Sequence, residues 1–413
     1  MISVDEAREF VLSRLAALAP VDHALEAALG CVAASTVDAR EPSPSFTNSA
    51  MDGFAVRASD TASGEARLRI IDSVFAGESS DVAVGNGEAA RIMTGAPLPP
   101  GADSVCPRED AVVEPDARHV LIGRRVGVGD SVRHVGEDVR VGQTLVEPGD
   151  LVGPALLGAL AAQGITTLSV HPAPRVGVLS TGNELADGER LAPGHIRDSN
   201  RPTLLASLRQ SGFVPVDLGV VRDATGDLAD AFSRAGAQCD AVISTGGVSA
   251  GDADFVKVAL AELYGEATRS MQVAIRPGKP FTFAYDETTN TPFFALAGNP
   301  VSTLVGFELF VRPALRRLAG HRVIDRPTWS MVLDCDLPRR RDAKVHYVHG
   351  VCYLRDARPH VASVVRAGSH LLFNVAGTNC LIVSPESDGL VAGDVVRAMI
   401  LDDGTLGDAP PAI

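Results

Sequence analysis

The sequence predicts a multi-domain chain of the α/β-plus-β class. It has a central, mostly parallel α/β domain, a β-rich insert before it and a strand-rich C-terminal part. Three observations carry this. From Arg175 to about Ala319, short apolar runs alternate with helical patterns, the texture of βαβ units on a parallel sheet. From Thr47 to about Asp150, short β-branched runs such as Leu68–Ile71 and Val126–Val132 are broken by Gly, Pro and Asp. About the last 85 residues are again short and strand-like, and Asp402–Ile413 reads as a frayed tail.

The elements follow in order. Ser3 and Glu6 fit a capping box, and Val4, Ala7, Val11, Leu15 and Leu18 form a helical stripe ending at Pro20. Glu41–Ser45, with two prolines, reads as an extended linker. Pro154–Gln163 returns to helix. Arg175–Ser180 is an apolar strand, Thr203–Gln210 a helix stopped by Gly212, and Phe213–Leu218 a strand. Asp227–Ala235 is a helix, Ala241–Ser244 a strand and Phe255–Leu263 a helix. Phe293–Ala297 is another strand, and Val301–Leu318 a long helix containing Pro313.

Composition narrows the function classes. The 413 residues suffice for two to four domains, and 46% hydrophobic with 21% charged residues reads as soluble and globular. A net charge of −14 argues against general nucleic-acid or anionic-membrane binding. The six cysteines form no Cys-x-x-Cys pair, which favours reduced thiols in a cytoplasmic protein. No apolar signal core opens the chain, and no run approaches the ~20 apolar residues of a membrane span.

Four loops leave strands of the central region with distinctive chemistry. Ser180-Thr181-Gly182-Asn183-Glu184 pairs small residues with a carboxylate. Ser244 to Asp254 carries Gly246, Gly247 and Gly251, which permit close approach to a flat ring or phosphate, and Asp252 and Asp254, a possible Mg²⁺ pair. It matches neither a dinucleotide fingerprint nor a P-loop. Arg276-Pro277-Gly278-Lys279-Pro280 sets two fixed positive charges on a stiff loop, and Gly298-Asn299-Pro300-Val301-Ser302 is a tight turn opening a helix. A basic loop in an acidic protein suggests a local anion site. Each feature has a structural alternative: a solvated Glu184, a helix-capping Asp254, and cations that balance nearby acids. Asp52 before Gly53, Glu137-Asp138, Arg222-Asp223 and the loop Arg197 to Pro202 add further polar groups. No Ser/His/Asp triad or His-x-x-x-His pair can be assigned.

Taken in series, Ser49–Ala55, Ile92–Pro99, Gly136–Asp138, Ser180–Leu185, Asp198–Asn200, Gly246–Asp254, Pro277–Pro280 and Gly298–Ser302 resemble the molybdopterin molybdenumtransferase family, related to the C-terminal part of gephyrin. The resemblance covers nearly the whole chain. It implies a homodimer of four-domain subunits: residues 1–46 with 137–174 as a linking α+β domain, 47–136 as the β-rich insert, 175–322 as the α/β molybdopterin-binding domain, 323–404 as a β-barrel-like domain and 405–413 as a tail. It implies transfer of molybdenum from molybdate into adenylylated molybdopterin, with Mg²⁺-dependent release of AMP. Asp52, Asp138, Glu184, Asp223, Asp254 and Lys279 match catalytic positions, with Asp52 and Asp138 acting across the dimer interface. Glu184, Asp252 and Asp254 are the expected metal ligands. Thr181, Gly182, Ser199, Asn200, Gly246, Gly247, Ser249, Gly251, Arg276, Pro280, Asn299, Pro300, Ser302, His349 and Ser369 are the expected substrate contacts. Molybdopterin adenylyltransferase and apo-molybdoenzymes are the partners the resemblance suggests; no nucleic acid or membrane is expected.

Four positions depart from the family pattern. Asn183 stands for Asp, Arg276 for Lys, Ala297 for Pro and His349 for Arg. An imidazole near neutral pH is only partly charged, so His349 is expected to weaken the molybdate site. Two other readings fit some of the same residues: a molybdopterin adenylyltransferase, whose domain resembles residues 175–319 alone, and a non-catalytic pterin-binding paralogue.

Overall fold

The computed structural model describes residues 1–247, 254–338, 341–363, 368, 370–385 and 389–401. The chain forms two compact units. One comprises Met1–Ala34, Pro148–Leu157 and Thr167–Ile413, the other Ser35–Glu147 and Gly158–Thr166. The expected tail, and the expected site residues Ser249, Gly251, Asp252 and Ser369, lie outside the described residues.

The second unit is β-rich, as expected. Its six-stranded sheet runs Ser104–Pro107, Gly53–Val56, Glu88–Ile92, Ala66–Val74, His119–Ile122, Ala111–Val113. Only Ala66–Val74 and Glu88–Ile92 pair in parallel. The run Val126–Val132 is not the strand its composition suggests: only Val132–Arg133 is extended. Gly129 takes a φ of +82°, and the Asp130 carboxylate accepts a 2.8 Å bond from the Gly127 amide. That local turn outcompetes the β-branched residues around it.

The first unit is built on a six-stranded sheet ordered Val214–Val221, Arg175–Thr181, Ala241–Thr245, Thr291–Leu296, Pro280–Asp286, Arg269–Gln272. The first four strands are parallel; Pro280–Asp286 runs against them, and Arg269–Gln272, antiparallel to it, completes the antiparallel pairings. Those last two strands were not assigned from sequence. Helices cover both faces, which is why the strands are apolar at nearly every position. Val176, Val178, Ile243 and Phe294 face a core shared with Ala7, Val11, Leu204, Leu208, Phe281 and Phe310. Leu179, Val242 and Phe293 face the opposite core, with Leu228, Phe232, Val256 and Leu260.

Helix boundaries show where tertiary contacts override the pattern. Ser3 and Glu6 form the capping box, but the first helix stops at Leu12. Leu15 stays buried and the Leu18 amide bonds the Leu318 carbonyl at 2.8 Å, so an irregular segment completes the apolar stripe. The helix expected to start at Thr203 begins at Asn200. The long helix around Pro313 is divided: Pro300–Gly306 runs into a π-helical turn, Phe307–Val311, and then Arg312–Leu318. Pro313 has no amide for the Leu309 carbonyl, and its ring opposes a regular turn. The Arg8 guanidinium fills the gap, donating to that carbonyl at 2.7 Å. Arg8→Ala is expected to cost about 1–3 kcal/mol by exposing this unpaired acceptor, read as a lower urea midpoint.

The C-terminal strands Thr328–Leu333, Val345–Arg355, Arg358–Ser363, Cys380–Ser384 and Val395–Ile400 close into a five-stranded barrel. Its interior holds Met331, Leu333, Val348, Cys352, Val361, Ile382 and Ala398. A sixth strand, Ile275–Arg276, pairs in parallel with Val345–His346 and joins the barrel to the α/β domain. Among the described residues no helix is long and apolar enough to cross a membrane.

Candidate active-site cleft

A cleft of about 1000 Å³ opens within the first unit, at the carboxyl ends of the parallel strands. Arg175–Thr181 is flanked by Val214–Val221 on one side and Ala241–Thr245 on the other, so the strand order reverses there, where open α/β sheets bind ligands. Thr181, Thr245 and Ala297 mark the strand ends in the cleft wall. Gly246 turns the chain immediately after its strand with φ +97°; a Cβ there would lie 2.0 Å from the Thr181 carbonyl oxygen. Only glycine allows these two loops to meet.

Asn200 ties the loops together. Its Nδ2 donates to Thr245 Oγ1 at 2.8 Å and to the Gly298 carbonyl at 2.7 Å. Both Nδ2 protons are thus engaged, and Oδ1 is buried without a partner in the structure. That oriented acceptor suits a ligand N–H or O–H. Asp198 frees Asn200 for this role by bonding the Arg201 amide and guanidinium, both at 3.1 Å. The amino ends of the helices at Asn200–Gln210 and Pro300–Gly306 border the cleft; Asp198 already takes the Arg201 amide of the first, and Asn299 makes no side-chain cap on the second. Their dipoles favour an anion.

The basic wall is larger than the sequence indicates. Pairing of Ile275–Arg276 with Val345–His346 adds Lys344 and His346 to Arg276 and Lys279 in the cleft lining. Arg276 is not an independent charge: Asp342 lies 3.9 Å from it, 3.3 Å from Lys344 and 2.9 Å from His346 Nε2. The His346 hydrogen bond, aided by the charges of His346 and Lys344, holds the Asp342 carboxyl below the usual range. Lys279 has no acidic partner among the described residues. Lys344, His346 and Asp342 were not selected from sequence, because only the barrel's closure brings them to this end of the sheet.

Of the expected residues, Thr181, Glu184, Ser199, Asn200, Gly246, Gly247, Arg276, Lys279, Pro280, Asn299, Pro300, Ser302 and His349 line the cleft. Gly182 stands beside it, and a Cβ there would collide with the Glu184 carboxylate at 2.6 Å. Asp223 supports the first loop instead: its carboxylate accepts from the Thr181 hydroxyl and from the Asn183 amide at 3.2 Å. Asp254 caps the helix Phe255–Tyr264, accepting from the Lys257 amide at 3.2 Å. Burial raises its carboxyl above the usual value. Asp52 and Asp138 belong to the second unit. Thr94 holds Asp52 through its amide at 2.8 Å and hydroxyl at 2.7 Å, and these bonds lower the carboxyl's pKa. Ser43 contacts Asp138 at 3.5 Å.

Three family models match the chain: the MoeA N-terminal region (domains I and II) over residues 2–164, a probable molybdopterin-binding domain over 177–317, and the MoeA C-terminal region (domain IV) over 333–401. A Haemophilus influenzae protein named molybdopterin molybdenumtransferase is 35% identical over 401 residues, covering 96% of this chain and 98% of its own. The chain belongs to the molybdopterin molybdenumtransferase family. A Bacillus subtilis relative of the same name is 33% identical over 386 residues, covering 92% and 89% of the two chains. The crystal structure of a molybdopterin biosynthesis MoeA protein from Pyrococcus horikoshii is also similar, with a TM-score of 0.81, 29% identity and coverage of 98% of this chain and 100% of that one.

Within this molybdenumtransferase fold His349 behaves differently from the expected half-charged imidazole. It is 6% exposed, and burial pushes its pKa down to about 4. It is therefore neutral at pH 7 and contributes no fixed charge. His321 shares that shift to about 4, from burial and then the charges of Arg316 and Arg312. For both groups the folded pKa lies below the ordinary 6.5, so the unfolded chain binds more protons between those values. Their stabilising contribution is full above pH 6.5 and is lost as pH falls towards 4. Unfolding free energies from urea titrations over this range are expected to drop with a slope of up to about 1.4 kcal/mol per pH unit for each group.

Proposed function

We propose that this protein transfers molybdenum from molybdate into adenylylated molybdopterin, releasing AMP and forming molybdenum cofactor. The observation that carries the reading is the joining, in one cleft, of a glycine-lined ring or phosphate cradle with a basic wall. Family membership supplies the reaction class.

In this reading the Gly247 amide and Asn200 Oδ1 receive the pterin nucleotide, while the Gly246 amide is held by the Leu296 carbonyl at 3.3 Å. Lys279 holds oxyanion charge, and Arg276 and Lys344 add less because they share Asp342. Placing both substrates in one cleft supplies proximity. Glu184 fits a Mg²⁺ role, since that ion takes one or two carboxylates and completes its shell with water and phosphate oxygens. Bound there, Mg²⁺ would neutralise charge developing on the adenylate phosphate. Asp254 has Oδ2 left for such an ion while its Oδ1 caps the helix. Asp223 acts as a positioning residue through Thr181. A homodimer, with Asp52 and Asp138 acting on the other copy's cleft, completes the proposal; an active monomer would remove that part.

The test is direct. Purified protein given adenylylated molybdopterin, Mg²⁺ and molybdate should release AMP and yield cofactor that activates an apo-molybdoenzyme. A folded protein that releases none is not this enzyme. The neutral, buried His349 favours one second reading, a pterin-binding paralogue without molybdate handling. An inactive parent that gains activity on His349→Arg would support it, and an active parent excludes it.

A further inference from the structure

We infer that a tetrahedral oxyanion seated in this cleft takes up one proton as it binds, held between an oxyanion oxygen and Nε2 of His349. The inference rests on the oxyanion-binding reading above and adds to it a protonation requirement peculiar to this chain.

Two distances assign the tautomer through the hydrogen-bond network. Thr378 Oγ1 lies 2.8 Å from the Val375 carbonyl oxygen, to which it donates its single proton. The same Oγ1 is 3.1 Å from His349 Nδ1. With the hydroxyl proton used, Oγ1 offers only a lone pair, so Nδ1 carries the ring hydrogen. Nε2 then presents a lone pair. It is buried without a hydrogen-bond partner in the structure, and His349 lines the cleft. An unpartnered acceptor in a ligand cleft calls for a donor.

A fully ionised oxyanion has none to offer. Its oxygens are all acceptors, and one set against Nε2 would oppose two lone pairs. A single proton converts that repulsion into a hydrogen bond. It can arrive on the anion or be taken by Nε2 from solvent. Either route gives the same O–H–N bridge and removes one proton from solution per anion bound. Burial disfavours a charged His349 before the anion arrives, so the proton is not already in place.

The surrounding charges favour the loaded state. His346 stands on the same strand and Lys344 just before it; Arg276 comes from the short strand paired with it and Lys279 from the loop that follows; His370 lies in the connection between Arg358–Ser363 and Cys380–Ser384; Glu184, Arg197 and Asp198 come from the α/β loops. Asp342 balances Arg276, Lys344 and His346.

Calorimetric titration of the full chain with sodium molybdate, at one pH in two buffers of different ionisation enthalpy, tests this. About one proton should be taken up per anion, and affinity should fall about tenfold per pH unit between 6 and 8. His349→Gln should reduce the uptake to near zero. In protein labelled with ¹⁵N-histidine, the His349 Nε2 resonance should move from an unprotonated to a hydrogen-bonded or protonated position on saturation, which keeps the test open should the variant misfold. No uptake in the parent, equal uptake in the folded variant, or an unmoved Nε2 resonance overturns the inference. Molybdate binding and AMP release without uptake would sink the inference alone. Absence of any molybdate binding would sink the oxyanion reading with it.

Discussion

Lys279→Ala is expected to lower kcat/KM for molybdenum insertion by about 100- to 1,000-fold, the effect of deleting one preorganised charge contact. Lys279 is exposed, follows the tight Pro277-Gly278 bend and has no acidic partner among the described residues. Its ammonium is therefore free to meet an incoming oxyanion. Its removal should leave the unfolding free energy from urea titration within about 0.5 kcal/mol of the parent, as for other exposed positions outside the core. Arg276→Ala should cost less, because Arg276 is 65% exposed and already lies near Asp342. Steady-state kinetics with varied molybdate separates the two. Equal rates for Lys279→Ala and parent would remove Lys279 from the reaction.

Gly246→Ala is expected to destabilise the first unit by about 3 kcal/mol or more and to abolish turnover. The new Cβ would lie 2.0 Å from the Thr181 carbonyl oxygen, at a φ of +97° that alanine rarely adopts. Relief requires the first and second strand-end loops to part, which moves Thr181 and Thr245 and breaks the Asn200 bridge. Gly226→Ala is the control. It lies in the helix Thr225–Gly236, and its Cβ would meet nothing within 4 Å. It should be neutral or stabilising by up to about 1 kcal/mol. Similar urea midpoints for the two variants would contradict the close-packed cradle.

Both predictions depend on features legible to different degrees. The Gly246-Gly247 and Pro277–Pro280 loops stand out in the sequence because glycine and proline fix local backbone freedom wherever they occur. The parallel strands also read clearly. Val176–Leu179 and Ala241–Ile243 carry no polar side chain because helices cover both faces of the sheet. The divided helix around Pro313 was less legible, since the partner for the Leu309 carbonyl comes from Arg8, far away in the chain. Asp223 shows the same limit from the other side: its bond to Thr181 joins loops remote in the chain, whereas the helix cap made by Asp254 is local and is one of the two readings its sequence context offers.

The sequence by itself determined the α/β texture, the loops at the strand ends and the presence of a basic segment, because each is set by local periodicity or by a residue's own backbone limits. The tertiary structure alone decided which charges share the cleft and in what state. Pairing of Ile275–Arg276 with Val345–His346 brings Lys344, His346 and Asp342 to the oxyanion wall, and burial beside Thr378 makes His349 a neutral acceptor. Those outcomes depend on distances between residues remote in the chain and on exclusion of water, neither of which a local pattern encodes.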